Sequence, residues 1–241
     1  MSPVCRFLVF TSVFGLNSVV ALGAESKQPK PDSGDVWDDV DSADSSESAR
    51  SGQKFGLGLL YTPASDFVLS SGVYGASYLS SKLQVGARYI GGSKKLDVSE
   101  TQGTTTYYAT ATLTGYLFDI DARYFVGNSF NILGGLGFRS ANIKYSIEDR
   151  ATTSVSGNIT ISSIVLPISI GNSWTWSNGF SIGCDWLGVQ VPLSGSTKSS
   201  LSGTLSADTA KKLNEDLVNT GDKLAKTTSL TLLLTHLAWA F

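Results

Sequence analysis

The chain has 241 residues, 41% of them hydrophobic and only 16% charged, with a formal net charge of -2. A charge so near neutral, with no basic stripe, excludes a nucleic-acid footprint. Cys5 and Cys184 are the two cysteines, so a chain cut after its first two dozen residues keeps one thiol and cannot form an internal disulfide.

The first element is a signal peptide over 1–24. Arg6 supplies a positive start, Phe7 to Leu22 an interrupted apolar core, and Ala21, Gly23 and Ala24 the small residues before a cut at Glu25. A transmembrane anchor is the alternative, but the core is short and broken for a span of about 20 residues. Cys5 precedes the apolar core, which argues against lipidation.

Residues 25–52 follow, with eight acidic groups against Lys27, Lys30 and Arg50. This composition reads as an acidic, disordered linker. The segment DVWDDV within it has a second reading, as a docking motif or as a piece that folds into a barrel mouth.

From Lys54 onward, apolar side chains alternate with glycine or polar ones at the period of a strand. Eight segments carry the pattern, near 53–62, 71–80, 82–91, 112–126, 129–143, 158–170, 177–191 and 229–241. In LQVGARYIG, for example, Leu83, Val85, Ala87 and Tyr89 oppose Gln84, Gly86 and Arg88. SGVYGASYLS, the second segment, does not reveal its outward face. A soluble sandwich would carry many Lys and Glu outside. Here the second face carries Gly and a few polar groups, which suits a narrow polar interior with lipid around it.

Short connections at 80–82, 127–129 and 172–178 alternate with long ones at 63–70, 92–111, 144–157 and 192–228. The fold class is therefore all-β: an eight-stranded antiparallel up-and-down transmembrane β-barrel over 53–241, with short turns and both termini in the periplasm. In the longest connection Ala210, Leu213, Leu217 and Leu224 form one helical stripe. The spacing predicts an extracellular helix over 206–227, capped by Ser206 and weakened or bent near its end by Gly221. It reads as a lid over the mouth, as a partner-binding element, or as a helix resting on loops or headgroups.

Alternation sends Arg88, Arg123 and Arg139 inward with Asp119, Asp121 and Asp185. A mutually neutralising network is the simplest outcome, since a lone buried charge is costly. A gated path for a small solute is the alternative, although about eight strands leave a bore that side chains fill. His236, the single histidine, is expected to join the network. As a catalytic base of a lipid hydrolase it needs a nucleophile within reach, and neighbouring sequence offers only Thr235 on the opposite face. Trp174 and Trp176 fit an interfacial aromatic girdle, with a sugar-binding platform as the alternative. In the closing strand Leu233, Leu237, Trp239 and Phe241 are expected outward, with Thr231 and Thr235 between or above them. Leu230, Leu232, Leu234, His236, Ala238 and Ala240 are expected inward, the leucines meeting the helix stripe. No metal, cofactor or catalytic motif is expected.

The signal peptide, eight alternating segments, alternating loop lengths and aromatic C-terminus together resemble the bacterial small outer-membrane β-barrel proteins. That broad class includes the membrane domain of outer membrane protein A. GNSWTWSNGFSIGCDWLGVQVPL and DIDARYFVGNSFNILGGLGFR are similar to stretches of its uncharacterised members. The resemblance implies a monomer in the outer membrane of a Gram-negative cell, in contact with membrane lipid and lipopolysaccharide. It also implies help from periplasmic chaperones and from the barrel assembly machinery, with Leu237, Trp239 and Phe241 as the assembly signal. Members serve as structural anchors, adhesins, narrow porin-like pores or lipid-modifying enzymes. Of these, a structural or surface-interaction role is the preferred reading.

Overall fold

The computed structural model describes residues 45–65, 68–102, 105–149, 154–204 and 207–241. The expected signal peptide, most of the acidic linker with DVWDDV, and the Ser206 cap lie outside these residues.

Glycine and polar residues alternating with bulky apolar ones produce strands with two unlike faces, and closing them on one another hides the polar face. The strands are β1 (Phe55–Tyr61), β2 (Ala64–Ser65), β3 (Ser71–Ser80), β4 (Leu83–Gln102) and β5 (Thr105–Phe125). They continue with β6 (Phe130–Asp149), β7 (Ser154–Thr175), β8 (Phe180–Gly203) and β9 (Ser229–Ala240). Each long strand pairs antiparallel with its neighbour in sequence, and β9 returns to β1 with Leu57 opposite Trp239 and Leu59 opposite Leu237. Closure makes an eight-stranded up-and-down barrel, to which the two-residue β2 adds a short pairing with β9.

The outward face is apolar. Leu59 is 64% exposed and Ile120 is 58% exposed, whereas the inward neighbours Asp119 and Asp121 are buried. On β5 and the residue after it the outward band runs from Tyr116 to Val126 with no charged side chain. Ten residues rise about 33 Å along a strand, or about 25 Å along the axis at a barrel tilt of about 40°. The register also resolves β3: Leu57 and Leu59 lie beside Gly75 and Val73, so Tyr74 and Ala76 point inward.

Several boundaries differ from the sequence reading. The long connections 92–111 and 144–157 are mostly strand, and 192–203 continues β8. Along 192–203 apolar alternation is absent because both faces carry mostly Ser, Thr, Gly and Lys. Exposed Ser194, Ser196, Lys198, Ser200 and Ser202 illustrate the outer face of β8. Beyond Gly91 and Gln190, β4 and β8 pair on one side only, so β4 to β8 rise above the closed ring as a five-stranded extension. Trp174 belongs to β7, and the turn after it is shorter than expected, spanning 176–179.

The linker reading fails at its end. Helix α1 (Ser46–Ser51) is folded, with Ser45 as N-cap and Arg50 fully buried. Helix α2 (Ala207–Ala225) starts with Asp208 in its first turn and packs on β7 and β8. Its Leu213, Leu217 and Leu224 pack with Ile143, Tyr145, Ile159 and Ile161, on the lumen side of the extension. The β9 leucines do not meet this stripe. Leu234 instead packs inside the barrel with Leu60, Leu69, Ile90, Leu117 and Val165.

Alternation in β9 slips by one residue where Leu233 turns left-handed, with φ 55. Leu230 is therefore outward at 38% exposure and Thr231 inward at 8%, the reverse of the expected facing.

Candidate functional site

The bore is filled in layers. At the short-turn end α1 covers the mouth, and the Arg50 guanidinium carbon lies 3.8 Å from the centroid of the Phe125 ring. Burial lowers the Arg50 pKa from its ordinary value, with Tyr78 and Glu47 opposing.

Above it lies the ionic layer. Inward positions of β4, β5 and β8 bring Arg88, Asp119, Asp121, Arg123 and Asp185 together. Arg88 Nε and Nη2 donate to the two oxygens of Asp119, each at 2.9 Å. Asp121 Oδ2 is 2.7 Å from the same Nε but lacks an aligned N–H, because that hydrogen points at Asp119. Arg123 grips Asp185 across the bore at 2.9 and 3.1 Å, and its Nη1 also donates to Asn131 at 2.8 Å. Ser169 donates to Asp185 at 3.1 Å. Each guanidinium thus has carboxylate partners in fork geometry, the arrangement that makes buried charge tolerable.

Arg139 does not join this layer. It sits on β6 toward the long-loop end, where Nη2 donates to the carbonyls of Ala225 and Thr227 at 3.4 and 2.7 Å and Nη1 donates to Ser229 Oγ. Ser163 Oγ donates to the Ala225 carbonyl as well. A cation here satisfies orphan carbonyls at the negative end of α2, so Arg139 fastens the helix over the bore. Between Arg139 and the ionic layer lies the apolar cluster of Leu60, Leu69, Ile90, Leu117, Val165 and Leu234.

His236 faces inward and is buried. Its Nε2 is 3.1 Å from Ser173 Oγ, and Tyr74 meets the ring edge-on at 5.8 Å. Gly183 makes the space, since a Cβ there would occupy the position of the imidazole. A hydroxyl is thus within reach of the histidine, which sequence proximity did not show. The void they line holds about 10 Å³, and a second void on the other side of Arg88 holds about 30 Å³. The smaller suits about one water molecule, and neither suits an ester. Among the described residues no group of three or more His, Cys, Asp or Glu is placed to hold a metal.

Leu237, Trp239 and Phe241 face outward. Trp239 lies 5.7 Å from Phe180, which stacks on Trp176 at 5.5 Å, and Phe241 lies 6.4 Å from Phe55. Tyr89, Tyr116 and Phe138 form a second aromatic row, with neighbouring rings 6.2 and 6.1 Å apart. Two such rows bounding an apolar band match the girdles of a membrane barrel.

No protein-family model matches the chain, and no curated protein matches it. Among solved structures it is similar to Acinetobacter baumannii CarO2, at TM-score 0.47 and 12% identity over 78% of this chain and 99% of that one. Acinetobacter baumannii CarO gives 0.44 and 10% over 78% and 98%. A major outer membrane protein from Thermus thermophilus gives 0.40 and 15% over 79% and 100%. Likeness at this level transfers no residue role to this chain.

Proposed function

We propose that the chain is an integral outer-membrane barrel with a closed bore, serving as a structural or surface-interaction protein through its long-strand extension. The carrying observation is inverted polarity: exposed Leu, Ile and aromatic side chains form the outer wall while Arg88, Asp119, Arg123 and Asp185 are buried inside. In water this arrangement wastes apolar burial and strands ion pairs; in lipid it satisfies both faces.

Closure supports the non-conducting role. Arg50, the ionic layer, the apolar cluster and the anchored end of α2 obstruct the bore in succession. This leaves the extension for interaction, with β4 and β8 single-paired beyond the ring. The lipid-enzyme reading gains a Ser–His pair but no room for substrate. In planar bilayers the purified protein is expected to insert without conductance steps. Reproducible steps whose ion selectivity changes with Arg123→Ala would replace this reading with the narrow channel.

A further inference from the structure

Helix α1 is held by two of the short turns and by the end of β7. Arg50 Nε donates to the Ser81 carbonyl and Nη1 to the Asn128 carbonyl, both at 2.8 Å, and Nη2 donates to the Gly127 carbonyl at 3.4 Å. The plane of the guanidinium lies against Phe125. Around this centre the Glu47 amide donates to Asn128 Oδ1 at 3.0 Å, and the Thr175 amide donates to Ser46 Oγ at 3.0 Å. Glu47 also reaches Lys82 at 3.6 Å.

The carbonyls belong to the turns themselves. Gly127 adopts φ +89, which L side chains rarely take, so this turn orients its backbone without help from α1. Three carbonyls around a ring face require a flat cation with several donors; an ammonium lacks that shape. The six-residue helix is far too short to persist alone, so docking orders it. The ring of strands closes through β1 and β9, and α1 contributes no strand to that closure.

We propose that the β3–β4 and β5–β6 turns form a guanidinium-binding receptor, filled in cis by Arg50, which latches the segment ahead of β1 across this mouth of the bore. The ligand class is an arginine-bearing peptide in a helical turn. Release of the latch leaves the barrel folded.

The test uses the full chain with Arg50→Ala, and separately Arg50→Lys, reconstituted in lipid vesicles and followed by amide hydrogen exchange. In both variants the amides of Glu47 and Thr175 are expected to exchange at least tenfold faster while ladder amides of β4 to β7 below the extension keep their rates. A synthetic octapeptide matching residues 45–52, added to Arg50→Ala, is expected to return Thr175 to its original rate. The same peptide with lysine in place of arginine is expected to leave it fast. Unchanged exchange in the variants, equal rescue by both peptides, rescue by neither, or loss of the barrel fold in both variants would overturn the proposal.

Discussion

Arg123 and Asp185 join opposite sides of the bore, from β5 to β8, through two hydrogen bonds of 2.9 and 3.1 Å. Removing one charge of such a pair strands the other. Arg123→Leu or Asp185→Leu alone is expected to destabilise the barrel by about 3–5 kcal/mol, whereas the double variant recovers much of the loss. Urea unfolding in vesicles measures this, and additive single losses would show that the two side chains act independently.

Asp119 and Asp121 share Arg88 unequally. The ionic layer holds three carboxylates and two guanidinium groups, and Asp121 Oδ2 lacks an aligned donor. Asp121→Asn removes the excess negative charge and is expected to be neutral or mildly stabilising. Asp119→Asn breaks the bidentate fork and is expected to cost about 3 kcal/mol or more. The same unfolding experiment compares them, and a larger loss at Asp121 would reverse this ranking.

Gly221 lies in α2 where the helix touches β8, and the nearest atoms to an added Cβ are all in the Thr197 side chain. Its purpose is close approach rather than a bend. Gly221→Ala raises helix propensity by about 1 kcal/mol yet is expected to lift α2 and speed tryptic cutting at Lys211 and Lys212. Adding Thr197→Ala is expected to restore protection. If Gly221→Ala alone increased protection, close approach would not be the constraint at this position.

Phe241 contributes backbone and ring separately. Its carbonyl accepts from the amides of Lys54 and Phe55 at 3.0 Å, and its amide donates to the Phe55 carbonyl at 2.8 Å. Deleting the residue therefore costs closure hydrogen bonds at about 1 kcal/mol each. Phe241→Ala keeps them and removes only a side chain that is 63% exposed. This substitution is expected to lower the yield of assembled barrel in cells while leaving the unfolding midpoint of the assembled protein nearly unchanged. Equal effects on both would deny the ring a specific part in assembly.

Within the lipid band the fold was readable, because there the solvent differs between the two faces. Arg88, Asp119 and Asp121 alternate with Tyr89, Phe118 and Ile120, and their facing follows directly. Above the band water wets the outer face of 192–203 and the inner face meets α2 through small residues such as Gly195 and Thr197, so the segment shows no apolar periodicity and reads as loop. The Leu233 slip depends on one left-handed residue, which leucine does not advertise. Arg139 read as one more inward cation, since its partners are carbonyls near the end of a distant helix. Arg50 gave no signal at all: its site is built from backbone turns, and its own surroundings are acidic and polar. Ser173 fell in the expected connection 172–178, and only the longer β7 and barrel closure put it beside His236.

The central claim is that the polar face is inside and the apolar face meets lipid. It is tested most directly by folding the denatured chain with and without lipid vesicles and comparing unboiled and boiled samples on a denaturing gel. The account predicts a shifted, unboiled band that forms only with vesicles and collapses to the unfolded position on boiling. A folded, monomeric protein that forms in plain buffer without lipid or detergent would contradict it.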